Sequence, residues 1–150
     1  MSIGRICNRN VHLVSPDETI HEAACRMRDC EVGMLVALDE QRRPIGVVSD
    51  RDLAIRVLAN GHDIDAPVRT VWTGCPRTIA EEAPLESALS LMMYGGVRRL
   101  PVVDRDGRLV GLITLDDALS LLTEELTMVG RLLTRQTPYR QETLTAPSVH

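Results

Sequence analysis

Phenylalanine is absent from this sequence, and the aromatic residues amount to one Trp and two Tyr. Any core must therefore be filled by Val, Leu, Ile, Met and Ala. Lysine is absent too, so all 17 basic residues are Arg, set against 21 acids for a formal net charge of -4. That balance excludes the broad cationic face of a general nucleic-acid binder. An individual Arg still binds phosphate well, because its guanidinium is planar and permanently charged. No apolar run is long enough to cross a bilayer, and no leader-like pattern is read at the start. Cys7, Cys25, Cys30 and Cys75 include no CxxC pair, which removes the common zinc and disulfide frameworks. The cysteines read as buried small hydrophobes in a reduced, cytoplasmic protein. His12, His21, His62 and His150 are scattered, and no Cys/His nucleophile can be assembled from the spacing.

What is present is an ordinary globular balance, 44% hydrophobic and 25% charged over 150 residues, enough for one real core. The chain also repeats itself. Gly46 recurs 65 positions on as Gly111, and GVVSDRD falls on GLITLDD at that offset without a gap. Asp39 falls on Asp104, Leu35 on Leu100, Val32 on Val97, Met27 on Met92, Ala23 on Ala88 and Val14 on Ile79. The lead-in segments agree as well, with Ile3 and Ile6 falling on Val68 and Val71. The reading is one copy over residues 3–61, a polar linker over 62–67, a second copy over 68–126, and an extension over 127–150.

Within the first copy, HLV (12–14) reads as a short strand, and Ser15, Pro16 and Glu18 as a capping box opening a helix. Ile20, Ala23, Ala24 and Met27 share that helix's apolar face. GMLVAL (33–38) and IGVVS (45–49) read as two strands joined by a turn, followed by a helix over 50–59. The second copy repeats the order. The fold class is α+β: two β-α-β-β-α units, each too small to cover its own sheet, packed as one pseudo-twofold module.

Ser49 with Asp52, and Thr114 with Asp117, are spaced as capping boxes in which Asp replaces Glu. That role alone is worth about 1 kcal/mol per pair. A helix start also aims free N–H groups and a positive dipole end outward, which favours an anion. A carboxylate beside a phosphate is repulsive, so the two Asp residues suit paired hydroxyls, as on a ribose.

The two copies in register, with DRDLAIRVLANG and VRRLPVVDRDGRLVGLIT, resemble a tandem pair of CBS domains, a Bateman module. The resemblance implies a non-catalytic regulatory module that binds an adenosine-type ligand (AMP, ADP, ATP or S-adenosylmethionine) between the copies. The Ser/Thr hydroxyl would sit near phosphate or ribose oxygens, the Asp on the ribose hydroxyls, and aliphatic strand residues against the adenine. Each pocket would take its Ser/Thr-x-x-Asp from one copy and its wall from the other. Ser49 and Asp52 would thus face Arg98, Arg99, Leu100 and Pro101, while Thr114 and Asp117 would face Gly33, Met34, Leu35 and Val36 with no Arg. Of Arg98 and Arg99, strand alternation expects at most one to point into its pocket. The Asp52 pocket is expected to be the better site for a phosphorylated ligand.

The acids at the helix starts have no positioned base or nucleophile beside them, which speaks against an enzyme. Two rival readings stay open: a Mg²⁺ sensor using the paired carboxylates, and a structural dimerisation module with vestigial pockets. No covalent cofactor, metal site, nucleic-acid or membrane partner is expected. Leu122, Leu126, Val129, Leu132 and Leu133 extend the last helix to about Arg135 with an apolar stripe, and the resemblance implies a homodimer formed through helices. Residues 137–150 read as a flexible end. Ligand binding would shift a conformational equilibrium read by a separate regulated protein.

Overall fold

The computed structural model describes residues 1–135, so the end expected at 137–150 lies outside the described residues. Met1–Ala118 forms one compact unit, and Leu119 begins a second. The chain runs α1 (Ile20–Cys30), β1 (Met34–Leu38), β2 (Pro44–Ser49), α2 (Asp50–Asp52), β3 (Thr73–Gly74), β4 (Ile79–Ala80), α3 (Leu85–Gly95), β5 (Arg99–Val103), β6 (Leu109–Thr114) and α4 (Leu115–Arg135). Two three-stranded sheets form among the described residues, ordered β1-β2-β3 and β4-β5-β6.

The pairing shows how the two copies interlock. β1 and β2 are antiparallel, with Met34 opposite Ser49, and β5 and β6 repeat this with Arg99 opposite Thr114. The third strand of the first sheet is β3, which belongs to the lead-in of the second copy. Reciprocally, Asn8 in the lead-in of the first copy bridges to Leu112 on β6, with backbone bonds in both directions. Each sheet is thus completed by the other copy's lead-in segment. Close approach requires a bare backbone where these segments cross. A Cβ at Gly111 would lie 2.6 Å from Cys7 Sγ, and one at Gly46 would run into the Trp72 ring. Cys7 and Trp72 are themselves 65 positions apart.

Aliphatic side chains fill the core as the missing aromatics require. Ile3, Leu35, Leu100, Ile113, Val36, Val48, Val68 and Val102 are almost wholly enclosed. The strand expected at HLV is reduced to a single parallel bridge from Leu13 to Val36. α1 also begins later than the Ser15–Pro16 signal suggests. Thr19 is its N-cap, in a complete capping box with Glu22. Glu18, expected to cap from Ser15, accepts from Ser15 N at 2.6 Å but is held by Arg26 in a two-point ion pair. Its own carbonyl accepts from Val68 N at 2.7 Å. Tertiary partners thus hold residues 16–18 in a turn and move the helix start further along the chain.

The helix expected over 50–59 has one α-turn and then widens into a π-helical turn over Leu53–Leu58. Within that turn Val57 is buried, whereas Leu58 is 78% exposed. The cysteines depart from expectation. Only Cys7 is buried, while Cys30 and Cys75 are exposed, since Cys30 ends α1 and Cys75 follows the short β3 at a positive φ of 46°. Burial pushes the Cys7 thiol pKa up. The last helix reaches Arg135 as the stripe predicts. No described helix is long and apolar enough to cross a membrane.

Candidate functional site: two clefts between the repeats

Ser49 ends β2 in an extended conformation, so its side chain turns back over the helix start that follows. Its Oγ accepts from Asp52 N at 3.1 Å. Asp52 Oδ2 in turn accepts from Ser49 N and Ser49 Oγ, each at 2.9 Å. Thr114 and Asp117 reproduce the arrangement, at 3.1 Å to Thr114 Oγ1 and at 2.8 and 2.7 Å to Asp117 Oδ2. Both capping boxes read from the sequence are therefore formed. In each, the box occupies one carboxylate oxygen and leaves Oδ1 outside it.

The two Oδ1 atoms differ in their surroundings. Asp52 Oδ1 pairs with Arg56 Nη2 at 3.2 Å. Arg56 also donates to Val71 O at 2.8 Å and Thr73 Oγ1 at 3.1 Å, which ties the acid of the first copy to the lead-in of the second. The residue at the matching position in α4 is Leu121, so the second box has no arginine four residues after its acid.

A cleft of ≈ 690 Å³ opens over the Ser49 end, lined by Ser49 and Asp52 from one repeat and by Arg98, Arg99, Leu100 and Pro101 from the other. Its volume lies within the range of small-ligand pockets. Met34, Val47, Val97 and Pro76 add apolar wall. Arg98 and Arg99 both line this cleft, against the expectation of one. Arg98 precedes β5, so the alternation of the strand does not apply to it. Three further arginines line it, namely Arg51, Arg56 and Arg77. Arg56 and Arg77 carry no motif signal, and only the fold brings them to the cleft. Arg56 and Arg99 have carboxylate partners, whereas Arg51, Arg77 and Arg98 make no salt bridge among the described residues. The cleft thus holds a cationic field that Asp52 alone does not neutralise.

The second cleft is smaller, ≈ 160 Å³, and is lined by Thr114 and Asp117 together with Gly33 and Met34. Two expectations are corrected here. Arg99 lines this cleft also, because its long side chain reaches back across Gly33, where Arg99 Nη1 donates to the Gly33 carbonyl at 3.4 Å. Leu35 lines neither cleft. It is fully buried on the core side of β1 beside Val14 and Ala23, since alternation turns it away from the face that carries Met34. Val36 is likewise enclosed. Asn8, Asn10 and His12 of the first lead-in contribute polar groups that the sequence did not signal. Among the described residues no three His, Cys, Asp or Glu side chains converge as a metal site would require.

Comparison with known proteins places this architecture. The CBS domain profile matches residues 3–59 and 68–124. An uncharacterized protein of Methanopyrus kandleri is 36% identical over 122 residues, which cover 81% of this chain and 62% of that protein, so the match spans less than two thirds of the relative. The CBS domain-containing protein YhcV of Bacillus subtilis is 39% identical over 107 residues, covering 71% of this chain and 75% of that one. Among solved structures, a CBS domain protein from Pyrobaculum aerophilum complexed with AMP superimposes with a TM-score of 0.71 at 29% identity, covering 78% of this chain and 89% of that chain.

Proposed function

Because the chain belongs to the CBS domain family, we propose that it is a regulatory module without catalysis of its own, which binds a phosphorylated adenosine ligand in the Asp52 cleft. The observation that carries this reading is the set of three uncommitted guanidiniums, Arg51, Arg77 and Arg98, beside the Ser49–Asp52 box. They give the cleft unpaired positive charge suited to a phosphate. Asp52 Oδ1 offers an acceptor to ribose hydroxyls, and Met34 and Val97 offer apolar surface to a base. The solved relative in complex with AMP supports the ligand class.

The same arginines oppose the Mg²⁺ reading, since a dication would be repelled by the side chains that line the cleft. Ligand binding between the two repeats would shift their relative disposition, by as much as the ligand's affinity differs between the two states. A separate protein would read that shift, in the cytoplasm.

A homodimer is part of the proposal. Leu115, Leu119, Leu122, Leu126 and Val129 follow one another at alternating intervals of four and three in α4, the spacing of a helix-pairing seam. Leu119, Leu122, Leu126 and Val129 are 53, 39, 71 and 52% exposed. Such a stripe fits a second copy of the same helix.

Thermal unfolding with AMP, ADP, ATP, S-adenosylmethionine and MgCl₂, each alone, tests the ligand reading. A ligand at 100 times its Kd stabilises by about 2.7 kcal/mol. A shift with the phosphorylated adenosines and none with MgCl₂ is expected. A shift with MgCl₂ alone would sink the reading.

A further inference from the structure

Residues 34 and 99 are matching positions of the two repeats, and they form the partition between the clefts. Met34 and Arg99 are the two residues common to both linings. One side of the partition is therefore neutral and the other carries a full positive charge. The consequence for the two clefts is unequal. The first has four other arginines, whereas among the described residues Arg99 is the one arginine lining the second, which it shares with Asp117.

The guanidinium is weakly tethered. Arg99 Nη1 lies 3.8 Å from Asp50 Oδ1, with the two side chains 34 and 65% exposed, and it lies 3.4 Å from the Gly33 carbonyl. An exposed pair at such a distance contributes little, so a stronger anion can redraw it. Gly33 makes the resting position possible. A Cβ there would stand 2.8 Å from Arg99 Nη2, and the matching position in the other repeat is Arg98.

We propose that Arg99 is shared between the clefts, so that a phosphorylated ligand in the first weakens the second cleft's hold on any phosphate. This rests on the nucleotide reading of the Asp52 cleft. When Arg99 turns to a phosphate in the first cleft, the second keeps Asp117 and loses its arginine, which makes it repel anions while leaving its affinity for an uncharged sugar intact. At ≈ 160 Å³ the second cleft suits a phosphorylated sugar better than a whole nucleotide. The coupling is reciprocal by linkage, and a factor of about ten is within the usual range for two sites.

Amide chemical-shift titration of the intact chain tests this, with Gly95 and Gly96 reporting on the first cleft and Leu112 and Thr114 on the second. Ribose 5-phosphate should titrate Leu112 and Thr114 about tenfold more weakly once AMP saturates the first cleft. Free ribose should titrate them equally with and without AMP. In Arg99→Met, AMP should still shift Gly95 and Gly96, while ribose 5-phosphate and ribose should become alike at Thr114. Equal ribose 5-phosphate affinity with and without AMP would overturn the sharing and leave the nucleotide reading intact. The sharing fails in the same way if the wild-type second cleft takes no ribose 5-phosphate, or if Arg99→Met retains its preference for it. Absence of any AMP response at Gly95 and Gly96 would overturn both.

Discussion

Gly46 lies directly against the indole of Trp72, in the place where a Cβ would overlap the ring. The contact joins β2 of the first repeat to the lead-in of the second, and Gly111 with Cys7 makes the reciprocal joint. Overpacking of such a contact typically costs about 1–3 kcal/mol. Gly46→Ala should lower the urea midpoint accordingly, and Trp72→Leu in the same chain should recover part of the loss. If the two changes simply add, the contact is not what demands glycine there.

Two backbone positions in the first repeat are strained where the second is relaxed. Glu31 and Arg42 have φ of 53° and 65°, and the matching residues are Gly96 and Gly107, at 62° and 78°. A left-handed conformation costs a non-glycine residue about 1 kcal/mol or somewhat more. Glu31→Gly and Arg42→Gly should each stabilise the protein by roughly 0.5–1 kcal/mol, net of the added unfolded-state entropy. Chemical denaturation measures this, and a loss of stability in both would refute the strain.

Calorimetry with AMP separates the two acids. Asp52→Ala should weaken binding at least about tenfold, since each charge-assisted hydrogen bond lost contributes on the order of 1.5–3 kcal/mol. Asp117→Ala should leave the tighter isotherm unchanged. The opposite pattern would move the ligand to the second cleft. Circular dichroism must accompany both variants, because each also removes half of a capping box.

Glu18 provides a pH signature. Its hydrogen bond to Arg26 holds its carboxyl below the usual carboxylate range, against a smaller opposing effect of burial. A carboxyl whose pKa is lower in the folded chain contributes stability that is fully present above its unfolded value, about 4.3, and is lost as pH falls through the folded value. Glu18→Gln should therefore reduce the urea midpoint at pH 7 and make progressively less difference below about pH 4. A deficit that persists undiminished at pH 3 would assign the effect to packing.

The exposed stripe of α4 predicts the assembly state. Leu126→Glu places a charge in the middle of the proposed seam, and light scattering should then report a monomer in place of a dimer. A buried charge without a partner is costly enough to dissociate a short helix pair. An unchanged dimer would place the interface on other helices.

Much of this protein was already legible in one dimension. The 65-residue offset, the two Ser/Thr-x-x-Asp boxes and the strand pairs each depend on local spacing, and local spacing is what capping and alternation require. The offset also sets which residues are equivalent, so the juxtaposition of Asp52 with Arg98 and Arg99 across the repeats follows from symmetry together with the family resemblance. What escaped the sequence depended on contacts between distant segments. The start of α1 moved from Ser15 to Thr19 because Arg26 and Val68 engage Glu18. Leu35 left the site because the core took its face of β1. Arg56 and Arg77 joined the first cleft, and Arg99 came to serve both, through the reach of long side chains across a close packing of two repeats. The sequence by itself determined that there would be two half-sites, because each is built from neighbours in the chain. Tertiary structure decided how large each cleft is and which arginines beyond Arg98 reach it, because those depend on where long side chains from distant segments come to rest.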